Sequence, residues 1–260
     1  MSLNARQEVM LEKLRQHGEV EVDHLAKALG VTTQTVRRDL GELCDQGLAL
    51  RVHGGAKPAP STRIRAYEER QLNNMHAKGL VAREAARLIP NGASVAVNIG
   101  TTTEQVAEAL RLHKDLMVFS NNMNIISILR GARLRSLTVI GGEVRMSDGA
   151  VIGEGAVASI NQYKVDFAVI GASSLDADGA VLDFDPREVA VAKAIVSNAR
   201  QRILVADVSK FQNAAPFRIC HIADLDHVIL NARPPDAFIE AARQGNTNLI
   251  ITETAHADTK

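Results

Sequence analysis

From Ala77 onward, short apolar runs alternate with stretches of helical periodicity, and this alternation restricts the fold more than any other feature of the chain. Residues 94–97, 116–119, 137–140, 165–170, 202–206, 228–230 and 249–251 read as strands. They are near-continuous in Val, Ile, Leu and Ala, so both faces of their sheet need cover. Helices are expected over 103–112, 122–130, 186–198 and 236–243, after a first helix that Pro90-Asn91-Gly92 breaks. Repeated βα units of this kind mean an α/β fold: a doubly wound, mainly parallel sheet under helices.

The first 56 residues follow a different pattern. Residues 4–17 read as a helix with Val9, Met10, Leu14 and Leu11 inward, stopped by Gly18. Residues 22–29 form a second helix, closed by Gly30 at the C′ position that favours glycine. Thr32 is a good N-cap for a third helix. There Val36, Leu40 and Leu43 recur at helical spacing, while Thr33, Gln34, Thr35, Arg37 and Arg38 occupy the polar side. Short polar groups in the first turn, with two guanidinium forks one turn on, suit a helix whose N-terminal end meets base edges and phosphates. The plainer alternative is an amphipathic helix with a solvated basic edge. Cys44-Asp45-Gln46-Gly47 ends this helix, and residues 48–55, with Arg51, His53 and a Gly-Gly turn, read as a strand pair. The whole is a winged helix-turn-helix.

The segments Thr35-Val36-Arg37-Arg38-Asp39-Leu40, Gln46-Gly47-Leu48 and Arg51-Val52-His53-Gly54-Gly55-Ala56 resemble the DNA-binding signature of the DeoR family of bacterial transcription regulators. The resemblance implies that Thr33, Gln34, Thr35, Arg37, Arg38, Arg51 and His53 face an operator. Charge makes that a local matter. Residues 1–60 carry eight Lys or Arg and eight Asp or Glu, and the whole chain is formally neutral. Binding must rest on where the arginines sit and on having two copies, since non-specific affinity scales with the phosphates neutralised.

Residues 57–76 are expected to link this domain to a larger one at 77–260. Lys57-Pro58-Ala59-Pro60-Ser61-Thr62 has the prolines and small residues of a linker. Arg63, Arg65 and Arg70 alternate with Glu68 and Glu69, which favours a solvated connecting segment over a DNA-contacting arm. No apolar run approaches the roughly 18 residues of a membrane span, and no signal peptide is visible. Cys44 and Cys220 make neither a disulfide framework nor a metal cluster. A cytoplasmic protein is therefore expected, without metal, cofactor or membrane partner.

Gly100-Thr101-Thr102-Thr103 sits where a strand ends and a helix begins. Gly100 lets the backbone approach a ligand, the hydroxyls and first helical amides point outward, and a phosphate suits such a site. A plain βα turn with a Thr cap is the simpler alternative. All carboxyl ends of parallel strands share one edge, so Asn121, Asn122, Glu143 and Arg145 are candidates for the same cleft, unless Glu143 and Arg145 merely pair. Lys193 lies within an apolar helix and either snorkels or reaches the site, and Lys210 follows the strand ending at Asp207. Asp176, Asp178 and Gly179 read as a turn.

Residues 98–103, Ser120-Asn121-Asn122, Gly141-Gly142-Glu143, 171–174 and 207–211 also resemble the sugar-phosphate-sensing domain of the DeoR family. Residues 51–55, Ile89-Pro90-Asn91-Gly92 and Asp183-Phe184-Asp185 are similar to the branch that answers glycerol 3-phosphate. The resemblance implies a repressor of a carbon-catabolic operon, a homo-oligomer (dimer or tetramer) on double-stranded operator DNA, and release by a phosphorylated metabolite. Glycerol 3-phosphate is the first expectation and another sugar phosphate the alternative. The larger domain is also similar to ribose-5-phosphate isomerase, which raises an enzyme alternative. In that family a catalytic Glu directly precedes the helical Lys. Here Ala192 precedes Lys193, and Glu188 lies five positions back, toward another side of the helix. No catalytic residue is therefore expected. A winged domain that binds protein rather than DNA is the remaining alternative, and it would show no salt-dependent affinity for a duplex.

Overall fold

The computed structural model describes residues 3–17, 20–46, 48–52, 54–58 and 67–252. The chain divides into two compact units, residues 1–62 and 63–260. Gly18, Gly47, His53, Arg63 and Arg65, together with residues 59–62 of the expected linker, lie outside the described residues.

The smaller unit runs α1 (Ala5–His17), β1 (Val20–Glu21), α2 (Val22–Leu29), α3 (Thr33–Asp45), β2 (Ala49–Val52) and β3 (Gly55–Pro58). Gly30 closes α2 at φ 63°, and Thr32 Oγ1 accepts from Thr35 N at 3.2 Å to cap α3. Met10, Leu14, Leu25, Val36, Leu40 and Leu43 form the core between the three helices. Val9 is 44% exposed, against expectation; Gln7 is buried and donates from Nε2 to Glu42 Oε2 at 2.5 Å. The inward stripe of α1 thus runs through residues 7, 10, 11 and 14, the i, i+3, i+4, i+7 spacing that excludes residue 9. Asp39 is fully buried on α3 and accepts from Arg6 Nε at 2.5 Å and Nη2 at 3.2 Å, which fixes α3 to α1. In the wing, β3 pairs with both β2 and β1. Gly55 is required there, because a Cβ would lie 2.3 Å from Val20 O.

The larger unit opens with α4 (Tyr67–Leu72) and α5 (Met75–Arg87), then alternates β4 (Ser94–Val97), α6 (Thr101–Leu110), β5 (Met117–Ser120), α7 (Met123–Leu129) and β6 (Ser136–Val139). Next come β7 (Glu143–Arg145), β8 (Ala150–Ile152), α8 (Glu154–Ile160), β9 (Val165–Ile170), β10 (Ser174–Leu175) and β11 (Ala180–Asp183). The chain continues through α9 (Pro186–Ser197), β12 (Ala199–Ala206), β13 (Phe217–His221), β14 (His227–Leu230), α10 (Asp236–Gln244) and β15 (Asn248–Ile251). Seven strands form one wholly parallel sheet in the order β15-β14-β12-β9-β4-β5-β6.

Alternation along the strands decides which helices cover which face. Val95, Val97, Val169, Ile203, Val205 and Ile229 pack with α5, α6 and α7 through Val81, Ala85, Val106, Leu110, Ile125 and Leu129. Ala96, Ala168, Ile170, Leu204, Val228 and Leu230 pack with α8, α9 and α10 through Ile160, Val191, Ile195 and Phe238. Several features were not expected: α4 lies in the segment assigned to a linker, α8 and the strands β10, β11 and β13 are additional, and the glycine-rich stretch after β6 forms an antiparallel hairpin, β7-β8. That hairpin docks on the carboxyl edge of the sheet, where Val151 N donates to Asn121 O at 2.7 Å and Met123 N to Gly149 O at 3.0 Å. A second antiparallel sheet, β10-β11-β13, has Asp176–Gly179 at its turn, as the sequence suggested.

Candidate nucleic-acid interface and effector pocket

The first turn of α3 carries no acidic side chain. Thr32, Gln34, Thr35, Arg37, Arg38 and Arg51 line one shallow polar concavity. The fold therefore brings together the first turn of α3, its second-turn arginines and a wing residue. Arg51 reaches from β2 over α3, where a Cβ on Gly41 would lie 3.0 Å from its Nη2. Arg38 is exposed and its Nε lies 3.7 Å from Glu42 Oε1, an i,i+4 pair too loose to hold it. Thr33 is half-buried beside this surface.

In the larger unit, Gly100 takes φ 134°, a conformation open to glycine, and no side chain caps α6. Helix bonding begins with Glu104 N donating to Gly100 O at 3.0 Å. The preceding amides are the orphan donors of a helix start, backed by the helix dipole. They open on a pocket lined by Gly100, Thr101, Thr102, Asn122 and Lys210, with Tyr67 and Arg70 from α4, Glu104 from α6, Asp148 from the β7-β8 turn, Asp183 from β11 and Glu188 from α9.

The remaining candidates lie elsewhere. Thr103 is fully buried and its Oγ1 donates to Gly100 O at 2.8 Å, so it shapes the turn. Asn121 is fully buried, with Nδ2 donating to Val151 O at 3.1 Å and Oδ1 without a partner. Glu143 is 73% exposed on the hairpin and 3.8 Å from Arg187, not paired with Arg145. Arg145 instead donates to Asp148 (2.9 and 2.6 Å), Asp185 (3.1 Å) and Glu188 (2.8 Å). It braces the pocket wall. Those bonds raise its pKa despite burial, so it is a permanent cation. Lys193 is exposed: Pro186, Ala190, Lys193 and Ser197 form the solvent stripe of α9, while Glu188, Val191, Ala192 and Ile195 form the buried one. Lys193 therefore snorkels, and Glu188 is the residue of α9 that faces the pocket.

Asn122 caps α7 by accepting from Asn124 N at 2.8 Å, and its Nδ2 donates to Glu104 Oε1 at 2.9 Å. Tyr67 Oη donates to Glu104 Oε2 at 2.6 Å and accepts from Gln71 Nε2 at 2.5 Å and Asn124 Nδ2 at 3.1 Å. Glu104 is thus consumed as an acceptor. Burial, with the Glu104 bond and charge behind it, pushes the Tyr67 phenol up and keeps it neutral. Burial also pushes the Glu188 carboxyl up to about 8, aided by nearby Asp183 and opposed by Arg145. Arg187 shares Asp185 with Arg145, so it is burial first, with Asp183 behind it, that favours the protonated form of Glu188. The pocket then holds fewer anions than its composition suggests.

The sequence matches two family models: the DeoR-like helix-turn-helix domain over residues 6–62 and the DeoR C terminal sensor domain over 73–232. The chain belongs to the DeoR family of transcriptional regulators. It is 38% identical to the glycerol-3-phosphate regulon repressor of Haemophilus influenzae, across 96% of this chain and 98% of that one. It is also 38% identical to the Escherichia coli protein of the same name, across 92% and 95%. With the Escherichia coli HTH-type transcriptional repressor CsqR it shares 32% identity across 96% of each chain. Among solved structures, the ribose 5-phosphate isomerase of Methanocaldococcus jannaschii aligns at 17% identity and a TM-score of 0.39, over 53% of this chain and 55% of that one. eIF2B delta of Chaetomium thermophilum aligns at 15% and 0.44, over 62% and 57%. No helix among the described residues is long and apolar enough to cross a membrane.

Proposed function

We propose that this DeoR-family regulator is a cytoplasmic repressor of a carbon-catabolic operon, released from its operator by a phosphorylated metabolite, glycerol 3-phosphate first. The observation that carries the sensor half is the uncapped start of α6 at Gly100–Thr102, opening into a pocket that also holds Arg70 and Lys210. Helix amides, hydroxyls and two cations together match a phosphate. Asp183, Asn122 and the neutral Glu188 carboxyl supply hydrogen-bond groups for hydroxyls on the same ligand. The names of the two relatives at 38% identity support glycerol 3-phosphate over other phosphate esters.

On the DNA side, Gln34, Thr35, Arg37 and Arg38 of α3 read the major groove, with Arg51 and His53 of the wing on the backbone. The smaller unit has no net charge to hold DNA non-specifically, so a homo-oligomer presents two copies to a two-fold operator. The test is a duplex-binding titration at two salt concentrations, followed by addition of sn-glycerol 3-phosphate, glucose 6-phosphate and ribose 5-phosphate. Salt-dependent binding, reversed by glycerol 3-phosphate at the lowest concentration, supports the full reading. Reversal by another ester moves the effector and keeps the repressor.

A further inference from the structure

The element that joins the pocket to the chain leading from the DNA-binding unit is α4. It is the first described element after β3, and the contacts described for its Tyr67 and Arg70 side chains are polar. None of its described side chains is buried, and Leu72 is 74% exposed. Tyr67 is tied to Glu104 and Asn124, and Lys78 Nζ of α5 donates to the Arg70 carbonyl. A helix with so little apolar anchoring is free to shift at small cost when its polar partners change.

Arg70 is the partner most ready to change. It lines the pocket with Gly100, Thr101, Thr102 and Lys210. Its Nη2 lies 3.8 Å from Asp148 Oδ2, beyond hydrogen-bond reach, because that carboxylate already accepts two bonds from Arg145. Its Nε is buried with no hydrogen-bond partner. A buried guanidinium N–H left unbonded is costly, and a planar fork of donors suits a phosphate. Burial lowers the pKa of nearby Lys78 to about 8; Asp207 opposes this, and the charges of Lys210 and Arg70 act with it.

We propose that Arg70 is a phosphate-contacting residue of the effector site, and that its transfer from Asp148 to the phosphate repositions α4 and thereby couples the pocket to the DNA-binding unit. This rests on the reading of the pocket as the effector site. Coupling through α4 is economical, since the ligand makes its differential contact on the segment that must respond.

The experiment uses the full-length protein with sn-glycerol 3-phosphate, and inorganic phosphate as a second probe. Hydrogen exchange of the amides of residues 67–72 is followed with and without probe, alongside the concentration that half-releases operator DNA. Each variant's effector-free operator affinity serves as its own reference. The expected result is several-fold slower exchange across 67–72 on adding probe. Arg70→Gln should lose that protection and need at least ten times more effector. Arg70→Lys, which keeps the charge without the fork, should fall between, and Asp148→Asn should need less effector than wild type. If Arg70→Gln keeps the protection and the wild-type half-release concentration while Thr102→Ala combined with Lys210→Gln no longer responds, the pocket stands and the role of α4 falls. If both variants respond like wild type, the pocket reading itself is overturned.

Discussion

Replacing Glu188 by Gln should remove a pH dependence of stability from the sensor unit. Glu188 is buried beside Asp183, and its carboxyl is raised from 4.5 to about 8. A carboxyl raised on folding binds more protons in the native state than in the unfolded chain, so stability falls as pH rises between the two values. The contribution is fully present below the unfolded value and is lost as pH passes through about 8. For one such group the loss between about pH 6 and about pH 7.5 is ~2 kcal/mol. For a unit of this size that lowers the melting temperature by about 4–8 °C. Arg145 opposes the shift, and its effect is already contained in the value of about 8. Gln at position 188 retains an acceptor for Arg145 and does not titrate. Thermal unfolding of full-length wild type and Glu188→Gln across this window, in buffers of matched ionic strength, gives the two slopes. A steeper fall for wild type is expected. Parallel curves would show that Glu188 is already ionised at pH 6 and that the pocket is more anionic than argued.

The same ionisation predicts that phosphate-ester affinity, measured by calorimetry, weakens several-fold in wild type from about pH 7 to about pH 9 and changes less in Glu188→Gln; an equal loss in both would contradict it. Arg38→Ala should weaken specific operator binding by about 1–3 kcal/mol per copy, twice in a dimer, without changing the circular dichroism spectrum; an unshifted mobility-shift midpoint would remove this residue from the interface. Gly100→Ala should cost about 1–3 kcal/mol of stability, because a side chain at φ 134° is strained and its Cβ would lie 3.4 Å from Thr103 Oγ1; a melting temperature equal to wild type would show that the turn relaxes. No isomerisation of ribose 5-phosphate is expected, since Ala192 stands where the isomerase carries its base and the Glu188 carboxyl is held by Arg145; turnover abolished by Glu188→Gln would establish an enzyme.

Local signals in the sequence located most of the backbone. Gly30, Thr32 and the apolar spacing of Val36, Leu40 and Leu43 each act within a few residues, and the helix-turn-helix follows from them. The parallel sheet was legible because strands covered on both faces must be apolar throughout. The pocket walls were less so. Arg145 meets carboxylates at 148, 185 and 188, a pairing made only when the β7-β8 hairpin folds onto the sheet edge. Arg70 was read as solvated because its neighbours are acidic, whereas α4 turns it into the pocket. Lys193 was the converse case. Its apolar neighbours suggested an inward residue, but the exposed stripe of α9 passes through it.

The proposed control of α3 on DNA by one pocket, built on Gly100–Thr102 and Lys210, is a coupling between two binding sites. It is tested most directly by operator affinity, read by fluorescence anisotropy with and without millimolar sn-glycerol 3-phosphate. Wild type and the double variant Thr102→Ala, Lys210→Gln are compared. Effector should weaken wild-type binding by a coupling of about 1–3 kcal/mol, roughly 5–150-fold, and leave the double variant bound. A double variant that releases DNA at the wild-type effector concentration would contradict the account.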